Sequence, residues 1–316
     1  DPAMADADRL EVPVWLMEQL EKQFGGNIDA ELAALNQPAS LDLRVNLLKG
    51  DCARALELLT QEGIEAEPTN LSPMGLRIKA RVNLHTTTAF KGGFVEPQDE
   101  ASQIAALLCA ARADQLTIDY CAGAGGKTLA LAASMKDGGP LIACDTDPNR
   151  LRRIKPRLKR AGVSNVTVKC TEGDEGRAWL DRYKGLAARV LVDAPCTGSG
   201  AWRRNPAAKW SLTTERLDQY LQSQKDILAA AAPLVAPGGR LIYATCSVLP
   251  VENETQISAF LDAHPDFKPL PVNQVWADNI GGPCPIVDAG APYLRLSPAS
   301  NGTDGFFVGI LERGAE

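Results

Sequence analysis

The sequence predicts an α/β chain, a mostly parallel sheet with helices on both faces, preceded by a smaller α+β unit. Three observations carry this. From Gln98 onward, short apolar runs alternate with helical stretches, the pattern of a parallel sheet covered on both sides. A Gly-rich turn, Cys121-Ala-Gly-Ala-Gly-Gly-Lys127, follows the first of these runs. Two later runs, Arg189-Val-Leu-Val192 and Arg240-Leu-Ile-Tyr243, each end in a turn that carries a cysteine: Asp193-Ala-Pro-Cys196 and Tyr243-Ala-Thr-Cys246. Ligands of open α/β sheets bind outside the carboxyl ends of the strands. Neighbouring strands lie about 4.8 Å apart, so two adjacent Cys-tipped strands would aim both thiols at one small volume.

The elements follow in order. Residues 8–35 read as helical, with Val14, Leu16, Met17, Leu20 and Phe24 at helix spacing and Gly25-Gly26 as the stop. Leu41 to Leu47 alternates as a strand, Ala53 to Gly63 reads as a helix with a Gly stop, and Gly75 to Lys79 returns as a strand. Leu84 to Gly93 reads as a linker. Ala101 to Ala111 is an apolar helix. Leu116–Tyr120, Pro140–Asp145 and Val166–Lys169 are the first three strands of the large sheet, with helices at Thr128–Met135 and along the basic run after Asp145. The two Cys-tipped runs are the fourth and fifth strands. Leu217–Leu234 is the helix between them, with Pro237-Gly-Gly as its stop. Glu252–His264 is a further helix, and Gly305–Leu311 is a late strand. The expected organisation is a helical segment at 1–40, a small α+β module at 41–93 and a Rossmann-like domain at 94–316.

Composition narrows the class. The 316 residues suffice for one large domain and a smaller one. No apolar stretch approaches the roughly 20 residues of a membrane span, so no membrane partner is expected. Eight cysteines without a compact framework read as reduced thiols, which points to a cytoplasmic protein. The two histidines, His85 and His264, lack metal-site spacing, and no metal is expected. The net charge of −6 argues against a wholesale nucleic-acid coat but leaves room for a local basic face. The run Arg150, Arg152, Arg153, Lys155, Arg157, Lys159 and Arg160 reads equally as a solvated helix face. Arg203, Arg204 and Lys209, directly after the Cys196 turn, read as substrate-side cations. The sequence begins with Asp1, which leaves open a longer parent chain.

Three cofactor readings meet at the Gly-rich turn. Gly126-Lys127-Thr128 matches the end of a P-loop, but its required first glycine falls on Cys121. A dinucleotide fingerprint fits Gly123 and Gly125, but its third glycine falls on Thr128. S-adenosyl-L-methionine needs close backbone approach, which Gly123, Gly125 and Gly126 supply, and an acid for its ribose. Asp145 at the end of the second strand provides that acid, though it would serve NAD equally. Asp174, after the third strand, is a candidate acceptor for an adenine amino group, and read alone it is a surface turn acid.

The thiols suit covalent chemistry on a pyrimidine. C5 of the ring is a poor nucleophile until a thiolate adds to C6, which splits one hard step into easier ones. Such chemistry needs a cysteine, a group such as Asp193 facing the base, and help with release. A thiolate calls for nearby positive charge, for which Lys127 is the candidate. Cys52, Cys109, Cys144, Cys170 and Cys284 read as small packing residues, and Cys121 as one that borders the turn. No Gly-x-Ser-x-Gly elbow is present, which weakens a hydrolase reading.

These residues resemble the NOP2/Sun (Fmu) family of RNA cytosine-C5 methyltransferases, in particular its bacterial 16S rRNA members. The likeness runs from about residue 41 to the C-terminus. It rests on Gln98-Asp-Glu-Ala-Ser-Gln103, Asp119 to Thr128, Asp193 to Gly200 with Arg203-Arg-Asn-Pro206 and Lys209-Trp210, Thr245-Cys-Ser247 with Pro250 and Glu252-Asn-Glu254, and Thr303 to Val308. It implies a Rossmann-like methyltransferase sheet with an RRM-like, RNA-contacting module at 41–93. Cys246 would attack C6, Cys196 would assist product release and Asp193 would contact the cytosine. Cys121, Ala122, Gly123, Ala124, Gly125, Gly126, Lys127, Asp145, Arg150, Asp174 and Asp193 would line an S-adenosyl-L-methionine pocket. The implied partner is RNA, above all rRNA.

Two departures stand out. Ala124 replaces the family's usual Pro, which removes a fixed φ and implies at most a modest change in affinity. The N-terminal helical RNA-binding domain of many bacterial 16S rRNA members is not part of this sequence. Other readings remain: a noncatalytic RNA-binding or ribosome-assembly factor, a methyltransferase acting on tRNA or DNA, and an NAD-dependent oxidoreductase with no role for Cys246.

Overall fold

In Leu41-Asp-Leu-Arg-Val45 the alternation buries both faces of one strand. Leu43 and Val45 meet Leu58 and Leu59 of the helix Cys52–Gln61, whose first turn is capped by Asp51 accepting from the Arg54 amide at 2.8 Å. Asp42, Arg44 and Asn46 point the other way and are buried too, so that polar face is matched against another part of the protein. The computed structural model describes residues 6–285 and 292–315.

The small sheet contains β1 (Leu41–Val45), β2 (Ala66–Pro68), β3 (Gly75–Ile78) and β4 (Val95–Pro97), all antiparallel in the order β2-β3-β1-β4. The expected linker at Leu84–Gly93 instead forms helical turns at Leu84–Thr86 and Thr88–Lys91, and the chain then supplies the fourth strand just past residue 93. Capping by Thr87, whose hydroxyl accepts from the Phe90 amide at 3.1 Å, is the local cause.

The large sheet contains β5 (Thr117–Asp119), β6 (Leu141–Asp145), β7 (Val166–Cys170), β8 (Ala187–Asp193), β9 (Val235–Thr245), β10 (Phe267–Pro269), β11 (Tyr293–Leu296) and β12 (Phe306–Arg313). Its order is β10-β12-β9-β8-β5-β6-β7, with β11 on β12. β5 to β9 are parallel, and β10, β11 and β12 pair antiparallel. Leu191 and Ile242 face a layer with Ile104, Leu108 and Leu131. Val190, Val192, Leu241 and Tyr243 face the opposite layer, with Leu228, Ile257 and Phe260. Helices therefore cover both faces, as expected.

Local differences have local causes. Residues 6–35 form separate pieces, and Gly25-Gly-Asn27 is a tight helical turn joining Met17–Phe24 to Ile28–Leu35 rather than a stop. Leu16, Leu20, Leu32 and Leu35 pack on Trp202, Leu212, Val248 and Leu249, which lie just after the two cysteine turns. Pro237-Gly-Gly lies within β9, close to where the register against β8 shifts between Ala187 and Arg189. The preceding helix has already ended at Ala231, before Pro233. No helix among the described residues is long and apolar enough to cross a membrane.

The polar face of β1 grips the large domain. The Arg44 guanidinium donates to Gln98 Oε1 and to the Gly126 carbonyl at 2.6 Å. Asn46 donates to the carbonyls of Gly93 and Ala161, each at 2.9 Å. Glu96 on β4 receives Arg157 at 2.7 Å and Arg160 at 2.5 Å.

Candidate active site

From β5 the chain winds outward through β6 and β7, then returns to place β8 on the other side of β5. This reversal opens a crevice at the carboxyl ends of β5 and β8, where α/β sheets bind ligands. The Gly-rich turn, Asp145, Asp193, Cys196 and Cys246 all follow or end strands on that edge.

The turn after β5 closes with the Gly125 amide donating to the Ala122 carbonyl at 2.8 Å. Gly123 and Gly125 take φ of +54° and +84°, where a side chain is strained. A Cβ on Gly123 would run into the Arg150 guanidinium. The helix Gly126–Ser134 begins here, and its free amides favour an anionic or strongly polar ligand. Asp145 accepts from the amides of Gly123 and Asp147, each at 2.8 Å, and lies 3.5 Å from Arg150 Nη1. Behind the turn, Arg157 donates to the Ala124 carbonyl at 2.6 Å, and Arg44 holds Gly126. The carbonyls are tied from the rear, which fixes the turn without the Pro that the resemblance expects at 124.

A groove of about 540 Å³ runs past the ends of β5, β6 and β7, lined by Tyr120, Thr146, Thr171, Arg177, Gln219 and Gln222. Its walls mix the apolar Leu180, Ile227 and Ala230 with that polar rim, a lining that suits a flat heteroaromatic ring. The glutamines come from the helix Thr214–Ala231 and carry no motif, so nothing in the sequence marked them. Asp174 lies in the first turn of Gly173–Asp181, with its side chain 98% exposed and paired with Arg177 at 2.5 Å. It belongs to the rim of this groove only through that arginine.

At the next strand end, Lys127 Nζ donates to Asp193 Oδ2 at 2.6 Å and sits 5.0 Å over the Phe306 ring. Lys127, expected to supply charge to a thiolate, is thus engaged by Asp193. β8 and β9 are parallel neighbours, with Asp193 opposite Ala244, and the Cys196 and Cys246 sulfurs stand 3.5 Å apart. The hydrogen bond to Cys246, then burial, then the charge of Cys246 and of the Glu252 carboxylate push the Cys196 thiol well above its ordinary range.

The sequence pointed to Glu252 only as part of a motif. Here the carboxylate is fully buried and accepts from the Thr197 amide at 2.9 Å, the Thr197 hydroxyl at 2.5 Å, Gln224 Nε2 at 3.0 Å and the Ser247 hydroxyl. The expected substrate cations turn out differently. Arg203 and Arg204 each pair with Asp304 at 2.5 Å and also meet Asp99. Lys209 is buried and donates to Asn36 at 2.8 Å. These residues lock the segment after Cys196 onto neighbouring elements. In the basic run, Arg150, Arg157 and Arg160 are likewise held by Asp145 and Glu96.

The chain is similar to known proteins over most of its length. Residues 106–312 match the family model of the 16S rRNA methyltransferase RsmB/F, and residues 12–85 match the ferredoxin-like domain of the RsmF/B-like methyltransferases. The probable ribosomal RNA small subunit methyltransferase B of Synechocystis sp. is 32% identical over 303 residues, 95% of this chain and 66% of that protein. The ribosomal RNA small subunit methyltransferase B of Proteus mirabilis is 35% identical over 254 residues, 80% of this chain and 59% of that protein. A crystal structure of a methyltransferase homolog protein from Pyrococcus horikoshii superposes with a TM-score of 0.82 at 26% identity, over 99% of each chain. The chain thus spans just under two thirds of the length of the first of these curated relatives and 59% of the second.

Proposed function

Because this chain belongs to the 16S rRNA methyltransferase RsmB/F family, we propose that it methylates C5 of a cytosine in RNA, with 16S rRNA as the substrate and S-adenosyl-L-methionine as the methyl donor. The observation that carries the reading is the pair of sulfurs, 3.5 Å apart at the ends of β8 and β9 and beside the Asp193–Lys127 pair. One thiol suffices to activate a pyrimidine by adding to C6, and a second thiol on the adjacent strand end is placed to assist the reversal.

The donor's residues are those of the turn and groove: Cys121 to Lys127 for close backbone approach, Asp145 for the ribose hydroxyls, Arg150 across the turn and Asp174 at the rim. They fit because Gly123 and Gly125 carry no Cβ where the backbone turns, and a groove opens at Tyr120, Thr146 and Thr171, the residues that follow β5, β6 and β7. The bound donor supplies an electrophilic methyl group. Cys246 adds to C6 of the cytosine as a thiolate, forming an S–C6 bond and moving the displaced electron pair toward C5. Asp193 accepts from the exocyclic amino group of the base, and Lys127 holds that carboxylate in place. C5 would take the methyl group with the displaced pair, the donor's S–CH3 pair staying on its sulfur as a neutral thioether; the C5 proton then passes to solvent water, its C–H pair re-forms the C5=C6 double bond, and the S–C6 pair returns to the Cys246 sulfur as a thiolate. Cys196, still protonated, hydrogen-bonds the departing sulfur. A base paired in a duplex cannot reach these sulfurs, so the target is single-stranded or flipped out. Reduced thiols of this kind operate in the cytoplasm.

The test is labelled-methyl transfer from S-adenosyl-L-methionine to unmodified small-subunit rRNA, followed by nucleoside analysis. Label in 5-methylcytidine is the expected result. RNA binding without transfer to any fraction would replace this reading with that of an assembly factor.

A further inference from the structure

Beyond Cys196, Cys246 and Asp193, the site depends on a residue that cannot touch substrate. After β9 ends at Thr245, the chain passes Cys246 and Ser247 and turns back through Pro250–Glu252. This turn inserts the Glu252 side chain beneath both cysteine loops, with no exposed surface. Burying a carboxylate is costly unless its oxygens are fully hydrogen-bonded, and here four neutral donors do this. Oε1 accepts from the Thr197 amide and Gln224, and Oε2 from the hydroxyls of Thr197 and Ser247. Thr197 is the neighbour of Cys196, and Ser247 is the neighbour of Cys246. The β8–β9 ladder runs only to Asp193 opposite Ala244; beyond it the loops meet directly at the Gly200 amide on the Cys246 carbonyl, 3.0 Å, and at the Ser199 and Ser247 hydroxyls, 2.9 Å, and the Glu252 carboxylate joins them on the cysteines' own neighbours. The Tyr243 hydroxyl donates to the Glu252 carbonyl at 2.6 Å, so the clamp is itself anchored to β9.

We propose that Glu252 is the positioning residue that sets the spacing of the two sulfurs, by binding the neighbour of each cysteine to one buried carboxylate. The proposal rests on the methyl-transfer reading only for its catalytic consequence. The sulfur spacing itself can be read without any transfer.

The experiment compares the intact protein with Glu252→Ala and Glu252→Gln. Glutamine keeps an acceptor for the Thr197 amide and Gln224, and its amide can donate to the two hydroxyls, so the bridge survives without the charge. The first readout is the rate at which diamide, a thiol oxidant that is itself reduced to a hydrazine, closes a Cys196–Cys246 disulfide, scored by mass spectrometry. The second is methyl transfer, with kcat and KM for S-adenosyl-L-methionine separated. Since a misplacement near 1 Å costs about 100-fold, Glu252→Ala should lower kcat by about 100-fold, with KM for the donor within about twofold. It should slow disulfide closure at least about tenfold. Glu252→Gln should recover most of both losses. If Glu252→Ala fails to fold, Ser247→Ala and Thr197→Val, which each sever part of the clamp, should show the same loss on a smaller scale, about tenfold. Alanine variants that cross-link and turn over like the intact protein would overturn the proposal. An intact protein that cross-links fast, a slow Glu252→Ala variant and no methyl transfer by either would leave the clamp standing and remove the methyl-transfer reading.

Discussion

The sulfurs of Cys196 and Cys246 lie 3.5 Å apart although 50 positions separate them in the chain. Parallel pairing of β8 with β9 brings them together, and the reading proposed for the site gives them opposite roles. Cys246→Ala should abolish methyl transfer and leave no protein–RNA adduct. Cys196→Ala should form the S–C6 bond but stall on release, so that a covalent adduct accumulates and is visible as a shifted band on a denaturing gel. Activity in Cys246→Ala would rule out the covalent route.

Asp145 receives the Gly123 amide and faces Arg150, so it both shapes the turn and offers itself to the ribose. Hydrogen bonds to charged groups contribute about 1.5–3 kcal/mol, which corresponds to roughly 10- to 100-fold in affinity. Asp145→Ala should raise the dissociation constant for S-adenosyl-L-methionine by that factor in calorimetry, with RNA affinity unchanged. An unchanged dissociation constant would move the donor away from this turn.

The parallel sheet was legible in the sequence because its strands are apolar runs that end in chemically marked turns: Asp119, Asp145 and Asp193 close β5, β6 and β8, and Cys246 follows β9. The short strands Ala66–Pro68, Phe267–Pro269 and Tyr293–Leu296 were not legible, since three or four residues show no period and pairing with a neighbour defines them. The roles of Arg203, Arg204 and Lys209 misled for a related reason. A cation next to a reactive turn looks substrate-facing until its acids, Asp99 and Asp304, arrive from distant segments. Glu252 was hidden likewise, because its four donors come from three separate stretches of chain.

The two arginines behind the cofactor turn make the small sheet part of the site. Arg44 is fully buried, with its pKa pushed down to about 10 by desolvation, and it donates to the Gly126 carbonyl. Arg44→Met removes that donor from the Gly126 carbonyl and leaves Gln98 Oε1 without its partner. Stability should fall by about 1–3 kcal/mol in denaturant unfolding, and KM for the donor should rise more than kcat falls. A variant with full stability and unaltered KM would show that the turn holds its shape unaided.

Asp119 closes β5 in full burial, with Thr128 donating to Oδ2 at 2.7 Å and Oδ1 left without a partner. Burial raises its pKa from the ordinary 3.8 to about 7. The folded protein therefore binds a proton that the unfolded chain releases between about pH 4 and pH 7. Stability from this group is fully present below about pH 4 and is lost as pH rises through about 7. Asp119→Asn keeps the acceptor for Thr128 and cannot ionise. Its advantage over the intact protein should be small at pH 4 and grow to a few kcal/mol at pH 8, about 1.4 kcal/mol for each pH unit traversed and at most roughly 4. Unfolding midpoints at pH 4.5, 6 and 8 read this directly. A difference that stays constant across the three would mean that Asp119 is ionised in the fold throughout, with its charge stabilised by Lys127.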